Sequence, residues 1–197
     1  KIRIRAGFSD YQHTEFEGDE VGTTFYSQGL EGRLELVQAD RGGWRGVTGF
    51  QGFTREFSAV GAEAFVPPNV TDQYGIFTLQ EFKLGGGIGL EGALRYEHSN
   101  VVSNSVRFGL DADAPVGRVD RKFDAVSGAV GLSYEVGPRV KIGVNASRAV
   151  RAPSAEELFS NGPHIATSSY EVGDPSFRTE KSWGGEVYAR GAIGSFK

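Results

Sequence analysis

Apolar residues alternate with polar or small ones along most of this chain. In GIGLEGALRYEH, Ile88, Leu90, Leu94 and Tyr96 share one side, while Gly89, Glu91, Ala93, Arg95 and Glu97 share the other. VSGAVGLSYEV sets Val126, Val130, Leu132, Tyr134 and Val136 against Ser127, Ala129, Gly131, Ser133 and Glu135. VKIGVNAS and the opening KIRIRAGF repeat the pattern. A period of two predicts strands with one apolar and one polar or small face. Eight strands are predicted, near residues 1–16, 23–38, 44–60, 72–84, 87–100, 121–136, 139–150 and 180–195. TLQEFKL and WRGVTGFQGF alternate poorly, so the pattern leaves their facing open. SAEELFS is the one place for a helix, of one or two turns, with Ser154 as cap and Glu157 three residues on.

The connections carry as much information as the strands. QADRGG, LGGG and EVGPR read as tight turns, whereas FEGDEVG, AVGAEAFVPPNVT, residues 99–120 and Arg151–Ser182 read as long loops. Short and long alternate. In an up-and-down antiparallel sheet, alternate connections share an end, so every long loop is placed on one rim. Short turns on one side and long loops on the other are the pattern of outer-membrane barrels. Aromatic residues fit two girdles, with Trp44, Phe82 and Tyr134 beside the short turns and Tyr11, Tyr26 and Tyr96 toward the long loops. The expected fold is all-β: an antiparallel up-and-down transmembrane β-barrel.

Composition narrows the classes further. The 197 residues allow one domain or a piece of a larger one. No apolar run reaches the roughly 18 residues of a membrane-spanning helix, but a spanning strand needs only about 9–11. A net charge of −4 argues against a general grip on nucleic acid. The absence of Cys excludes disulfides, zinc-thiolate sites and thiol nucleophiles. There is no Met, not even at position 1, so the chain is expected to be a processed product or a fragment.

Chemistry-bearing residues concentrate at the long-loop rim. No nucleophile elbow, phosphate-binding loop or HExxH pair is present, so no enzyme is expected. His13, His98 and His164 all fall at the expected rim, and so do Glu15, Glu17, Asp19, Glu20, Asp111, Asp113, Asp120, Glu171 and Asp174. Imidazole with carboxylate suits zinc, copper, nickel or iron. His164 leads this candidate set, followed by His13 with Glu15 or Glu17. The bland alternative is that wet loops carry such residues in any case. On the strands, Arg3, Arg5, Glu31, Arg33, Glu35, Glu91, Arg95, Glu97, Lys141, Glu186 and Arg190 share the polar faces. Both signs along inward positions point to a wet lumen or a docked polar partner.

One segment carries a resemblance. SRAVRAPSAEELF followed by VGDPSFRTEKSWGGEVYARG resembles the late barrel of TonB-dependent outer-membrane receptors. Those barrels carry R-x-P-S/T-x-x-E-L, a loop, G-N-P-x-L-x-x-E-x-S and then a strand. The matching positions here are Arg151, Pro153, Ser154, Glu157 and Leu158, then Gly173, Pro175, Glu180 and Ser182, with Asp174 for the usual Asn and Phe177 for the usual Leu. FSNGPHIATSSYEVGD, DYQHTEFEGDEVGTTFYSQGLEGRLEL and FSAVGAEAFVPPNVTDQYGIFTLQEF resemble a subgroup that includes zinc-uptake receptors.

The resemblance spans nearly the whole chain. It implies energised import of a scarce nutrient across the outer membrane of a Gram-negative bacterium, with zinc or another metal complex as transported or bound ligand. It implies outer-membrane lipid as surroundings and the TonB complex as a partner engaged through a plug domain. It also implies that residues 1–197 are a partial barrel domain, about eight strands of about 22, with the plug and terminal strands outside this sequence. Two other readings remain open at this point. One is a small closed eight-stranded outer-membrane barrel acting as an adhesin or structural protein. The other is a soluble β-domain that binds carbohydrate or acts as a hydrolase.

Overall fold

Period-two alternation is carried through almost without interruption in the computed structural model, which describes residues 1–111 and 113–191. Seven long strands come first: β1 (Ile2–Glu17), β2 (Glu20–Arg41), β3 (Trp44–Gly61), β4 (Asn69–Gly85), β5 (Ile88–Arg107), β6 (Val116–Val136) and β7 (Val140–Arg151). A short helix α1 (Ala155–Phe159), a small hairpin of β8 (Asn161–His164) and β9 (Ser169–Val172), and a last long strand β10 (Glu180–Gly191) complete the order. The long strands form one eight-stranded sheet in the order β1-β2-β3-β4-β5-β6-β7-β10, each antiparallel to its neighbours. Residues 192–195, expected to continue the last strand, lie outside the described residues.

Registration keeps the two faces separate across the whole sheet. Leu90, Leu132, Val144 and Val187 stand opposite one another on β5, β6, β7 and β10. One residue along, Glu91, Gly131, Asn145 and Glu186 do the same on the other face. The poorly alternating segments take their facing from their neighbours: Trp44 opposes Phe82, which opposes Leu90 on the apolar face. The polar-face assignment holds for all the strand charges named above.

The hydrophobic core lies where a soluble β-protein would not put it. Its buried residues are Val101, Val106, Phe123, Ala155, Leu158 and Phe159. Val101 and Phe123 belong to the polar face, so α1 packs onto that face. The apolar face stays bare, with Leu132 at 50% and Val187 at 82% exposure. A contiguous apolar surface of this extent needs an apolar surround, and no second layer among the described residues supplies one. Lipid would supply such a surround.

Several expectations change in detail. The β1–β2 connection is a tight turn rather than a long loop, because Glu17 pairs with Glu20 and Gly18 adopts the left-handed φ of 64° that a two-residue turn requires. The loop expected over residues 99–120 shrinks to 108–115, because VVSNSVR and VGRVD continue pairing as far as Arg107 and Val116. The Arg151–Ser182 stretch contains the β8–β9 hairpin as well as the expected helix. Tyr26 and Tyr96 lie on the apolar face as the girdle requires, but Tyr11 pairs with Ser27 and faces the polar side. Tyr74, opposite His98, completes the upper belt in its place. At the lower belt Trp44 stacks on Phe82 with centroids 5.8 Å apart.

The strands are far longer than a bilayer demands. β2 has 22 residues and β6 has 21, against the roughly 9–11 that span the hydrocarbon. The span from Ile88 to Tyr96 covers about 27 Å of strand at about 3.4 Å per residue, close to the apolar band of such barrels once tilt is included. In a bilayer matched to that span, the strands above Tyr96 would stand outside the hydrocarbon. This frame predicts a face-dependent cost near the middle of the band. In the complete protein, Val130→Arg, opposite Gly92 at the centre of that span, should lower stability by about 2–4 kcal/mol in lipid vesicles, and Ala129→Arg on the polar face by much less. Equilibrium unfolding by denaturant reads the difference, and equal costs would refute the assignment of the faces.

Candidate functional site

The long-loop rim is organised by a salt-bridged clasp at the foot of α1. Arg151 closes β7, and its two terminal nitrogens donate to Glu157 Oε2 and Oε1, each at 2.7 Å. Its Nε lies 2.7 Å from Glu180 Oε2, on the residue directly opposite in β10. The Ser154 N–H donates to Glu157 Oε2 at 2.8 Å, and the Glu157 N–H donates to Ser154 Oγ at 3.3 Å. This is the reciprocal capping box that SAEE permits. Leu158 is fully buried beneath it, and Pro153 is buried beside it.

The second half of the motif returns to the same helix. The Gly173 N–H donates to the Ser160 carbonyl at 2.7 Å, and the Asp174 N–H donates to the Glu157 carbonyl at 2.9 Å. A Cβ on Gly173 would lie 2.7 Å from both Leu158 C and Phe159 N, so only glycine admits this approach. Hydrogen bonds from the Ser176 hydroxyl and then from its N–H, the latter at 2.7 Å, hold the Asp174 carboxyl below the usual carboxylate range. Arg121 on β6 ties the end of this turn by donating to the Phe177 carbonyl at 3.1 Å. Pro175 is half-buried within the turn, and Ser182 sits in β10 opposite Ala149. The family-like motif is thus a fastening: two distant segments close on α1 and pin it to the polar face. A cavity of about 250 Å³ lies under this fastening, lined by Arg55, Thr71, Gln73, Glu97 and residues 151–156 among others.

The β8–β9 hairpin sits on two other loops. The Asn161 N–H donates to the Phe65 carbonyl at 2.7 Å, and the Asn161 side-chain amide donates to the Gly109 carbonyl at 2.7 Å. The Ile165 N–H donates to the carboxylate of Glu63, a residue only 6% exposed. The Glu63 N–H in turn donates to Thr23 Oγ1 at 2.8 Å, and Thr23 is fully buried on β2. Residues 62–68, 108–115 and 161–172 are therefore stitched together. Glu63, Phe65 and Asn161 were not singled out by sequence reasoning. Their only signal was an acidic residue inside the apolar run AVGAEAFV, which the pattern gives no reason to bury.

The structure does not gather the three histidines. His164 stacks on Phe65 with centroids 5.0 Å apart, and its Nδ1 lies 3.7 Å from Glu171 Oε1. His13 is on β1, on the polar face, with Nε2 3.4 Å from Glu15 Oε1 and its ring stacked on Phe25. His98 is on the apolar face of β5, where its Nδ1 is 2.8 Å from Asp124 Oδ1 and the Tyr96 hydroxyl donates to the same oxygen at 2.6 Å. Its expected rim position fails because β5 runs nine residues further, to Arg107. Asp19 occupies the β1–β2 turn, and the Glu17 side chain lies outside the described residues. Among the described residues, no group of three or more His, Cys, Asp or Glu could hold a metal ion. His164 with Glu171 and His13 with Glu15 each offer two donors, so a bound metal would bring most of its coordination with it.

Comparison with known proteins agrees with this architecture. A protein-family model described as "TonB dependent receptor-like, beta-barrel" matches residues 3–196. Among solved structures, a copper transporter, OprC, superposes with a TM-score of 0.70 at 19% identity, covering 87% of this chain and 29% of that one. The Serratia marcescens hemophore receptor HasR, solved as a double mutant with its hemophore HasA and heme, superposes with a TM-score of 0.62 at 18% identity, covering 85% and 30%. At these identities the likeness is one of fold. The chain spans less than a third of the length of either structure.

The clasp has a pH signature. Hydrogen bonds from Arg151, then from the Ser154 backbone, lower the Glu157 carboxyl from 4.5 to about 2. A depressed carboxyl stabilises the folded form above its unfolded value, and that contribution fades as pH falls from about 4.5 toward 2. Amide protection over residues 152–179 in the complete protein, taken as the intrinsic exchange rate at each pH divided by the observed one, should therefore be high at neutral pH and fall across that window. Glu157→Gln should flatten the dependence, and Gly173→Ala should speed exchange at every pH. A wild-type profile without any change between pH 5 and 2 would refute the role given to Glu157.

Proposed function

The chain belongs to the TonB-dependent receptor β-barrel family, and we propose that it forms part of the wall and rim of an outer-membrane receptor that imports a scarce nutrient. The observation that carries this reading is the clasped segment 151–182, which folds over the polar face and makes a fixed rim at one end of a lipid-facing wall. A structural barrel or adhesin has no need to hold a loop over its lumen in this way. A soluble carbohydrate-binding domain would have to cover the bare apolar face. The role is transport, not catalysis. TonB would act through a plug domain within the lumen, and this segment would supply the wall, the surrounding lipid contact and the ligand-facing rim.

The ligand we favour is a metal complex, zinc being the first to test. His164 with Glu171 projects from the stitched rim, and His13 with Glu15 stands on the lumenal face below the β1–β2 turn. Each pair can complete the coordination of a metal that arrives chelated. The copper-transporter and hemophore-receptor neighbours share the fold, and their cargoes define the other metals worth trying.

Deletion of the full receptor gene should reduce uptake of at least one of zinc, copper and heme in starved cells, and loss of TonB should reduce it equally. Zinc uptake should fall several-fold in His164→Ala if zinc is the cargo. Unchanged uptake of all three cargoes in the receptor deletion would remove the metal reading, and uptake that persists without TonB would remove the energised one.

A further inference from the structure

Near the loops the wall divides. β3 and β4 stop pairing at Phe57 and Asn69, yet β3 runs on to Gly61 along β2. Asn69 is also where β4 first meets Ser103, and β5 continues beyond that pair to Arg107 along β6. The upper ends of β3 and β5 therefore face each other with no strand between them. Unpaired strand edges invite an occupant, and here they border a cavity of about 440 Å³. That volume lies within the range of small-molecule sites, roughly 300–1,000 Å³. Its lining includes Tyr26, Gln28, Glu56, Asn69, Ser103 and Asn104, all from strands inside the wall. The edge strand β1 contributes Asp10 alone.

The cavity is rich in acceptors. Asp10, Gln28 and Glu56 stand in one row across β1, β2 and β3, on the face that carries Phe8 and Leu30 lower down. Gln28 Nε2 donates to Asp10 Oδ1 at 3.3 Å, and Asn104 Oδ1 accepts from Arg118 at 2.9 Å. Glu56 is exposed and enters no ion pair among the described residues. Asn69 is only 4% exposed; its Nδ2 donates to the Pro67 carbonyl at 2.9 Å, while its Oδ1 is buried without a partner among the described residues. A buried acceptor left unpaired is costly, so an occupant should bring donors. Asp72, opposite Thr54 on the same face, adds a third negative charge nearby and disfavours an anion. A bare metal ion fits poorly, because two strand spacings, about 10 Å, part the backbones of Asp10 and Glu56. No group of three or more His, Cys, Asp or Glu forms there among the described residues. Hydroxyls or an ammonium supply the missing donors, and the Tyr26 ring offers a flat apolar surface beside them.

We infer that this division in the wall is a binding site for a saccharide that is uncharged or amine-bearing rather than anionic. The inference goes beyond the import reading and does not rest on it, since the row of Asp10, Gln28 and Glu56 lies on the face turned away from the polar one. Its position beside the upper aromatic belt admits a saccharide from solution or one carried by a membrane glycolipid. The first probes are the β-1,4-linked disaccharide of glucosamine and, for contrast, glucuronate. Each is titrated calorimetrically, at mildly acidic pH, into the full-length receptor in a detergent without a sugar headgroup. The disaccharide should bind about tenfold more tightly than glucuronate. Glu56→Gln and Tyr26→Leu should each weaken it by about fivefold to tenfold, and Glu91→Gln on the polar face should change nothing.

A second pair of probes separates the two sources: micelles of lipopolysaccharide with its core saccharide intact, and the same lipid hydrolysed to lipid A. A preference for the intact lipid that Glu56→Gln abolishes assigns the glycolipid. Binding of the disaccharide without that preference assigns a free saccharide. Glucuronate held as tightly as the disaccharide, or affinity unchanged in both Glu56→Gln and Tyr26→Leu, would overturn the inference. So would a receptor that binds neither the disaccharide nor the intact lipid through Glu56. Nutrient uptake should not respond to Glu56→Gln, so failure of this site and failure of the import reading are told apart.

Discussion

Everything in this wall depends on keeping the same registration over eight neighbouring strands. Because side chains alternate with a period of two, a slip of one residue in any pair would send a full set of Leu, Ile and Val to the water side and a set of Arg and Glu into lipid. The penalty falls on both faces at once, which makes the register well specified wherever the apolar band runs. The irregularities observed lie away from that band. Bulges occur at Glu15/Phe16, Gln38/Arg41, Lys83/Gly85 and Ser103/Val106, close to turns or on the extramembrane portions of strands. There a slip costs less, and the chain can bend toward a loop.

The polar face solves a different problem. Away from the cluster under α1, its charges are satisfied by each other. Arg33 reaches both Glu35 and Gln51 at 2.9 Å while its guanidinium covers Phe77 at 4.3 Å. Arg45 pairs with Glu81 across β3 and β4, and Arg95 pairs with Glu97 along β5. Arg45–Glu81 is a surface pair and adds little stability by itself, whereas Glu35 is buried against the wall and needs its arginine partners. The effect of these pairs is to hold long side chains flat against the wall, so that the lumen has a defined surface. The Arg151 clasp is the same device applied to a loop, strengthened by bidentate geometry and by the buried Leu158.

Much of this was legible in the sequence, for identifiable reasons. Alternation in GIGLEGALRYEH and VSGAVGLSYEV fixed both strand identity and facing because each has an unbroken period. The helix at SAEELFS was readable from the spacing of Ser154 and Glu157, which is the capping box itself. Strand ends were less readable. VVSNSVR breaks the alternation because Val101 and Val106 pack in the buried cluster beside α1, so the hydropathy pattern that announces a spanning strand is missing while the pairing continues. Tyr11 was misplaced for a different reason: an aromatic near a strand end suits a girdle, although the parity of β1 from Ile2 to Phe8 puts Tyr11 on the face of Arg3 and Arg5, where it pairs with Ser27. The rim contacts were beyond reach. Glu63 and Ile165 are about a hundred positions apart, and nothing local records that a buried carboxylate in one loop caps the backbone of another.

Asn161 and Glu63 also bear on how such a rim can be altered. Asn161 reaches two neighbouring segments through two of its own atoms, the backbone N and the side-chain Nδ2, and Glu63 links the hairpin to Thr23 on β2. No one of these segments is a separable module. Transplanting the 161–172 hairpin alone onto another barrel would leave its backbone N–H groups without their acceptors, and replacing residues 62–68 would strand the hairpin left behind. Change of ligand preference by recombination would have to move the three segments as a block. Point substitution at a position such as His13, which lies on the polar face apart from these contacts, is the easier route.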